Sequence, residues 1–171
     1  VRVESALGEG SEFILELPVG TAQRDVVVTP QRDVVHFGKR VLVADDNRVN
    51  QIVARKILEN LGCEVSFAAN GLEAVDRAAN WNPDLILMDV RMPMMDGLQA
   101  TRAIRADTRH KAASVPIVGL SANALAEHRE EAAEAGMLGY VEKPVTRLAL
   151  KTELLRHWPA AAQQQENGTW A

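Results

Sequence analysis

Cysteine is nearly absent: Cys63 is the one thiol among 171 residues. A single thiol cannot form an internal disulfide, so the sequence predicts a reducing, cytoplasmic setting. No histidine or metal-spaced partner lies near Cys63, which reads as a small residue at a strand start rather than a reactive group. No apolar run approaches the length of a membrane helix, so no membrane contact is expected of this stretch. The N-terminus lacks a basic-then-apolar signal pattern. It opens on Val1 rather than Met, so a piece of a longer chain is expected, with any membrane tether in the remainder. Excess charge is small, with a net charge of -4 and a pI near 5.6. Basic clusters are missing too, which removes the electrostatic ground for nucleic-acid binding. His36, His110 and His157 show no metal-ligand spacing. His128, within EHREE, reads as part of a solvated helix face rather than as a phosphotransfer histidine.

What is present is enough apolar material for a core: 47% hydrophobic residues beside 25% charged. Residues 1–18 hold two strand-like runs around Gly8-Glu9-Gly10, which predicts a β-hairpin. A lone hairpin is marginal in water, so its sheet is expected to continue in missing strands. Residues 19–38 read as a linker. From Arg40 the pattern changes. Val41 to Ala44 is a continuous apolar run, as a buried parallel strand requires. Val49, Ile52, Val53 and Ile57 follow at helical spacing, and Gly62 sits at a plausible helix end. A strand over 64–68 precedes a helix opened by Asn70 and Glu73, whose inner face is expected to be Leu72, Val75 and Ala79. Strands over 85–88, 116–120 and 140–141 alternate with helices over 97–106, 124–135 and 146–158. The tail from 159 to 171 is polar and expected to be disordered.

Five strands alternating with five helices predict an α/β fold: a parallel sheet covered on both faces. The expected form is a flavodoxin-like (βα)5 three-layer sandwich with strand order 2-1-3-4-5. Function in such sheets collects at the carboxyl ends of the strands. Asp45 and Asp46 follow the first strand, Asp89 the third, Ser121 the fourth and Lys143 the fifth. In that strand order the first and third strands are central neighbours, which brings the three carboxylates together. Three carboxylates in one pocket repel and do not all ionise unaided. Oxygen-only ligands with room for water favour Mg²⁺. Lys143 supplies a cation and Ser121 a hydroxyl donor. A carboxylate nucleophile, a metal, a cation and a donor make the set that phosphoryl transfer needs.

The runs VADDN, LILMDVRMPMMDG, GLSANA and YVEKP resemble the four signatures of the response-regulator receiver family. The resemblance covers about residues 39–158, and the four motifs together are far more specific than any one. It implies that Asp89 is the phosphoacceptor. It implies that Asp46 ligates Mg²⁺ directly, that Asp45 acts largely through water, and that the Arg91 backbone carbonyl is a third protein ligand. Lys143 resembles the lysine that pairs with the phosphoryl group. Ser121 resembles the hydroxyl that moves toward it, and Tyr140 the aromatic switch that follows. Met92-Pro93 and Asp96-Gly97 resemble the loop that shapes the site. The first eighteen residues are similar to the closing hairpin of a histidine-kinase ATP-binding domain. The asparagine box, the earlier glycine box and a phosphorylated-histidine box are absent from this stretch, so no kinase activity is expected of it. The implied parent is a hybrid sensor histidine kinase. The implied partners are a histidine kinase or a histidine phosphotransfer protein, docking near the first helix.

Other readings weigh less. A Mg²⁺-dependent phosphatase with an aspartyl nucleophile carries a second Asp two residues on as acid/base, and Arg91 stands there instead. A nucleotide or flavin binder needs a phosphate loop after the first strand, where Asp45-Asp46 would repel the ligand. A receiver that only docks partners, without phosphate turnover, is opposed by the intact acid–lysine set. Taken alone, Asp45-Asp46 would be a helix-start charge cluster, Lys143 a surface lysine, Ser121 a cap and Tyr140 half-buried packing. Their joint placement at strand ends favours the site.

Overall fold

Continuous apolar runs become the centre of a parallel sheet because both faces of each strand need cover. The computed structural model of the chain describes residues 2–6, 10–14, 36–108, 111–122 and 126–159. The expected linker up to residue 35, the Gly8-Glu9 part of the expected glycine-bearing turn and the expected tail from residue 160 lie outside the described residues. The chain divides into two compact units, Val1–Arg32 and Asp33–Ala171. In the first, β1 (Arg2–Ala6) pairs antiparallel with β2 (Gly10–Ile14), Arg2 opposite Ile14. This is the hairpin the sequence predicts.

In the second unit, the strands are β3 (Arg40–Ala44), β4 (Glu64–Ala68), β5 (Leu85–Asp89), β6 (Ile117–Ser121) and β7 (Gly139–Glu142). Their order across the sheet is β4-β3-β5-β6-β7, all parallel, which is the expected 2-1-3-4-5. Thus β4 and β7 form its borders. The helices are α1 (Arg48–Asn60), α2 (Gly71–Trp81), α3 (Gly97–Ala106), α4 (Ala126–Ala135) and α5 (Arg147–His157).

Side-chain alternation divides the interior into two cores. Val41, Val43, Leu85 and Leu87 face α1 and α5, where Leu58, Leu150 and Leu154 meet them. Leu42, Ala44, Ile86 and Met88 face the other way, against Ala74, Ala78, Ala100 and Ile104 of α2 and α3. The fold is therefore the three-layer flavodoxin-like sandwich.

Helix starts follow their capping residues. The side chain of Asn47 accepts from the Val49 N–H, Asn70 from Glu73, Asp96 from Gln99 and Thr146 from Ala149. At α1 the end is Leu61, followed by Gly62 at φ +72°, a left-handed position that suits glycine. The expected inner face of α2 needs correction. Leu72 is exposed, Val75 and Ala79 are half-buried, and Gly71, Ala74 and Ala78 are the residues against the sheet. The small residues let the helix lie close, which turns the larger ones to its flanks. Arg105 secures α3 differently. Its guanidinium donates to the carbonyls of Ala113 (2.9 Å), Val115 (2.7 Å) and Gly136 (2.9 and 3.2 Å).

Candidate functional site

The register of the parallel sheet sets the carboxyl ends of β3, β5 and β6 side by side: Ala44 pairs with Met88 and Asp89 with Leu120. Asp45 and Asp46 leave the end of β3, Asp89 closes β5, Ser121 closes β6, and Lys143 follows β7. One oxygen from each of Asp45, Asp46 and Asp89 lies within 4.8 Å of the others. Asp45 and Asp89 are buried, whereas Asp46 is exposed.

Lys143 joins two of the acids. Its Nζ lies 2.6 Å from Asp89 Oδ2 and 2.7 Å from Asp45 Oδ2. Contacts this short between partly enclosed groups belong to a charged pair. Burial pushes the Asp89 carboxyl above its ordinary range, and the hydrogen bonds from Lys143 and the Arg91 N–H offset only part of that rise. For Lys143 burial alone would favour the neutral amine, but the contacts with Asp45 and Asp89 outweigh it and hold the ammonium. The raised lysine pKa and the short contacts together hold the pair as an ammonium facing a carboxylate. Asp89 Oδ1 accepts from the Arg91 N–H at 3.1 Å.

The loop after β5 returns close to the acid. Gly97 N–H donates to the Val90 carbonyl at 3.0 Å. A Cβ on Gly97 would overlap the Asp89 carbonyl oxygen, so only glycine fits there. Val90, Arg91, Leu120, Ser121 and Ala122 enclose, with Asp89 and Lys143, a cleft of about 380 Å³. Tyr140 is half-buried on β7 and lies across Gly119, where a Cβ would sit 2.9 Å from its ring. The structure thus brings Asp45, Asp46, Asp89, Lys143 and Ser121 to one mouth and leaves Tyr140 on the border strand beside it.

Sequence reasoning missed the amides that hold Asp45. Asn50 Nδ2 is 3.2 Å from both Asp45 carboxylate oxygens, and the Asn47 N–H donates to Oδ1 at 2.9 Å. Gln51 Nε2 donates to the Asp45 backbone carbonyl at 2.6 Å. The available signal was position: a polar residue in the first helical turn reaches back toward the preceding loop.

The donor set is all oxygen, anionic in excess of its one ammonium, and open to water at Asp46. That fits a hard divalent cation. A flavodoxin-like sheet with an acidic, cation-ready cleft at its switch point defines the class of molecule. The family model for the response regulator receiver domain matches residues 41–155, and the chain belongs to that family. It is 40% identical over 124 residues to the sensor protein GacS of Pseudomonas syringae pv. syringae, covering 72% of this chain and 14% of that protein. It is 34% identical over 157 residues to the sensor protein EvgS of Escherichia coli K12, covering 90% of this chain and 13% of that protein. The receiver domain of sensor histidine kinase PA1611 from Pseudomonas aeruginosa PAO1 superposes with a TM-score of 0.64 at 44% identity, covering 70% of this chain and 96% of that one. That structure holds a magnesium ion in its active-site cleft. This chain is a two-component receiver domain of the kind found in hybrid sensor kinases.

Proposed function

We propose that the chain accepts a phosphoryl group from a phosphohistidine onto Asp89, with Mg²⁺ bound beside it. The observation that carries this reading is Lys143 bridging Asp45 and Asp89 while Asp46 completes an acidic triad within 4.8 Å. Asp46, Asp89 and the Arg91 carbonyl would hold the ion, and Asp45 would act largely through water. Bound there, Mg²⁺ offsets the charge that accumulates on the phosphoryl oxygens.

Asp89 supplies the nucleophile. A carboxylate oxygen forms the new bond to phosphorus, the P–N bond breaks, and its electron pair leaves on the donor imidazole. The product is an acyl phosphate. Lys143 then faces a phosphoryl oxygen in place of the free carboxylate, and Ser121 offers a hydroxyl to a second one. Tyr140, on the adjoining strand, is the group placed to follow Ser121. Hydrolysis of the acyl phosphate returns Asp89, which is the most catalysis this stretch performs on its own.

The donor is a histidine kinase or a histidine phosphotransfer protein. Val49, Ile52 and Val53 stand exposed on α1. Val49 and Val53 also line a hollow of about 180 Å³ with Lys143, Pro144 and Val145. An apolar helix face beside the acid suits a helical donor that must bring its imidazole to Asp89. Residues 1–18 fit the last hairpin of a kinase ATP-binding domain, 19–38 a linker whose end, at Phe37, already packs into the receiver core, 39–158 the receiver and 159–171 a tail. Matches reaching 90% of the chain in hybrid sensors support that order. The parent is then a hybrid histidine kinase, with this part in the cytoplasm. No helix among the described residues is long and apolar enough to cross a membrane.

The test is intact mass after incubation with Mg²⁺ and acetyl phosphate. Wild type gains one base-labile phosphate and Asp89→Asn gains none. Equal labelling of both proteins would move the acceptor elsewhere.

A further inference from the structure

We infer that Asn50 is a positioning residue that fixes Asp45 and thereby sets the Mg²⁺ affinity of the site. The inference rests on the Mg²⁺-dependent reading above. Asp45 is almost fully enclosed, at 1% exposure. Its two carboxylate oxygens receive the Asn47 N–H, the Lys143 ammonium and the Asn50 amide, which straddles both. A carboxylate so occupied meets a cation through water rather than directly. Its usefulness then depends on orientation, because a bridging water must find both the acid and the ion.

The three donors are not equivalent. Lys143 also holds Asp89, so its contact with Asp45 is shared and is the one that changes when Asp89 is phosphorylated. The Asn47 N–H restrains one oxygen only. Asn50 grips both oxygens, carries no charge and does not touch Asp89. It is therefore the donor that keeps the Asp45 plane fixed whichever partner Lys143 takes. Gln51 supports the same residue from behind, through its backbone carbonyl. A charged residue at position 50 would restrain Asp45 equally well only by altering the charge balance the ion requires.

Outer partners of this sort alter metal affinity by roughly 10–100-fold. Asn50→Ala and Asn50→Leu both remove the amide, and leucine keeps the bulk and favours the helix. Asn80→Ala makes the same change on α2, where, among the described residues, Asn80 bonds only to Asp76. Two measurements apply to each protein. Calorimetric titration with Mg²⁺ gives affinity without any phosphoryl chemistry. The Mg²⁺ dependence of acetyl phosphate labelling separates half-saturation from the rate at saturation. Both Asn50 variants are expected to bind Mg²⁺ about tenfold more weakly. Their half-saturation concentration rises to match, and their rates at saturating Mg²⁺ stay within about twofold of wild type, because the nucleophile and Lys143 are intact. The Asn80 variant matches wild type in both.

Unchanged Mg²⁺ affinity in a folded Asn50→Leu protein overturns the inference while leaving phosphoryl acceptance intact. A fall in the saturated rate alone overturns it too, since that would be damage to the site rather than to ion binding. Wild type that binds Mg²⁺ without becoming labelled would sink the phosphoacceptor reading and leave the role of Asn50 standing on the calorimetry.

Discussion

Burial pushes the Cys63 thiol up to about 11, with the nearby Asp84 charge adding to the effect and a hydrogen bond from Lys39 opposing it. The folded chain therefore holds its thiol proton longer than the unfolded chain does. At pH 8 both states are largely protonated and the thiol adds no pH dependence. Between the ordinary thiol range and about 11 the unfolded state loses its proton first, so stability falls as pH rises. Urea midpoints at pH 8 and pH 10 measure this. Wild type should lose more on the rise than Cys63→Ala, with the other groups titrating equally in both. An equal loss would show that the thiol is not held protonated by the fold. At this scale the sequence was readable wherever chemistry is tied to a strand end. Asp45, Asp46, Asp89, Ser121 and Lys143 needed only the alternation of strands and helices to be brought together. Asn50 and Gln51 did not stand out, because an amide in a first helical turn serves caps, solvent and neighbours equally well. Only the path of α1 across the end of β3 shows that these two turn inward.

Elements were legible to within a residue or two, since the central strands β3, β5 and β6 are short, largely apolar runs and α1, α2, α3 and α5 each start at a capping residue. Faces were less so. Val49, Ile52 and Val53 have helical spacing yet stand in solvent, whereas Ala54 and Leu58 are buried. On α2 alanines take the sheet side for the same reason. A close helix–sheet approach rewards small residues, which a search for large apolar ones overlooks. The anchoring of α3 was equally hidden, because an arginine gives no sign in sequence of which carbonyls it will reach. Arg105 turns its guanidinium onto three backbone carbonyls, and burial lowers its pKa. Arg105→Met keeps the stem and removes every donor. It should cost about 2 kcal/mol, the scale of leaving enclosed carbonyls unpaired. A lower urea midpoint with an unchanged slope would register that loss. A midpoint equal to wild type would mean that water replaces the guanidinium.

For the molecule as a whole, the acidic cleft couples ion binding to unfolding. The unfolded chain does not assemble three carboxylates, so Mg²⁺ favours the folded state by mass action. At ten times its dissociation constant the ion adds about 1.4 kcal/mol. A thermal midpoint that rises with Mg²⁺ in wild type and much less in Asp46→Ala checks this. Equal rises would place the ion elsewhere. The order of the sheet has a consequence of another kind. Its borders are β4, five residues long, and β7, four residues long. Each carries a glutamate, Glu64 on one and Glu142 on the other. A neighbouring copy seeking to extend the ladder finds a short purchase and like charge, both of which oppose edge-to-edge pairing. Crowding many copies at one place thus raises the frequency of their encounters without offering the borders of this sheet as a template for fibril growth.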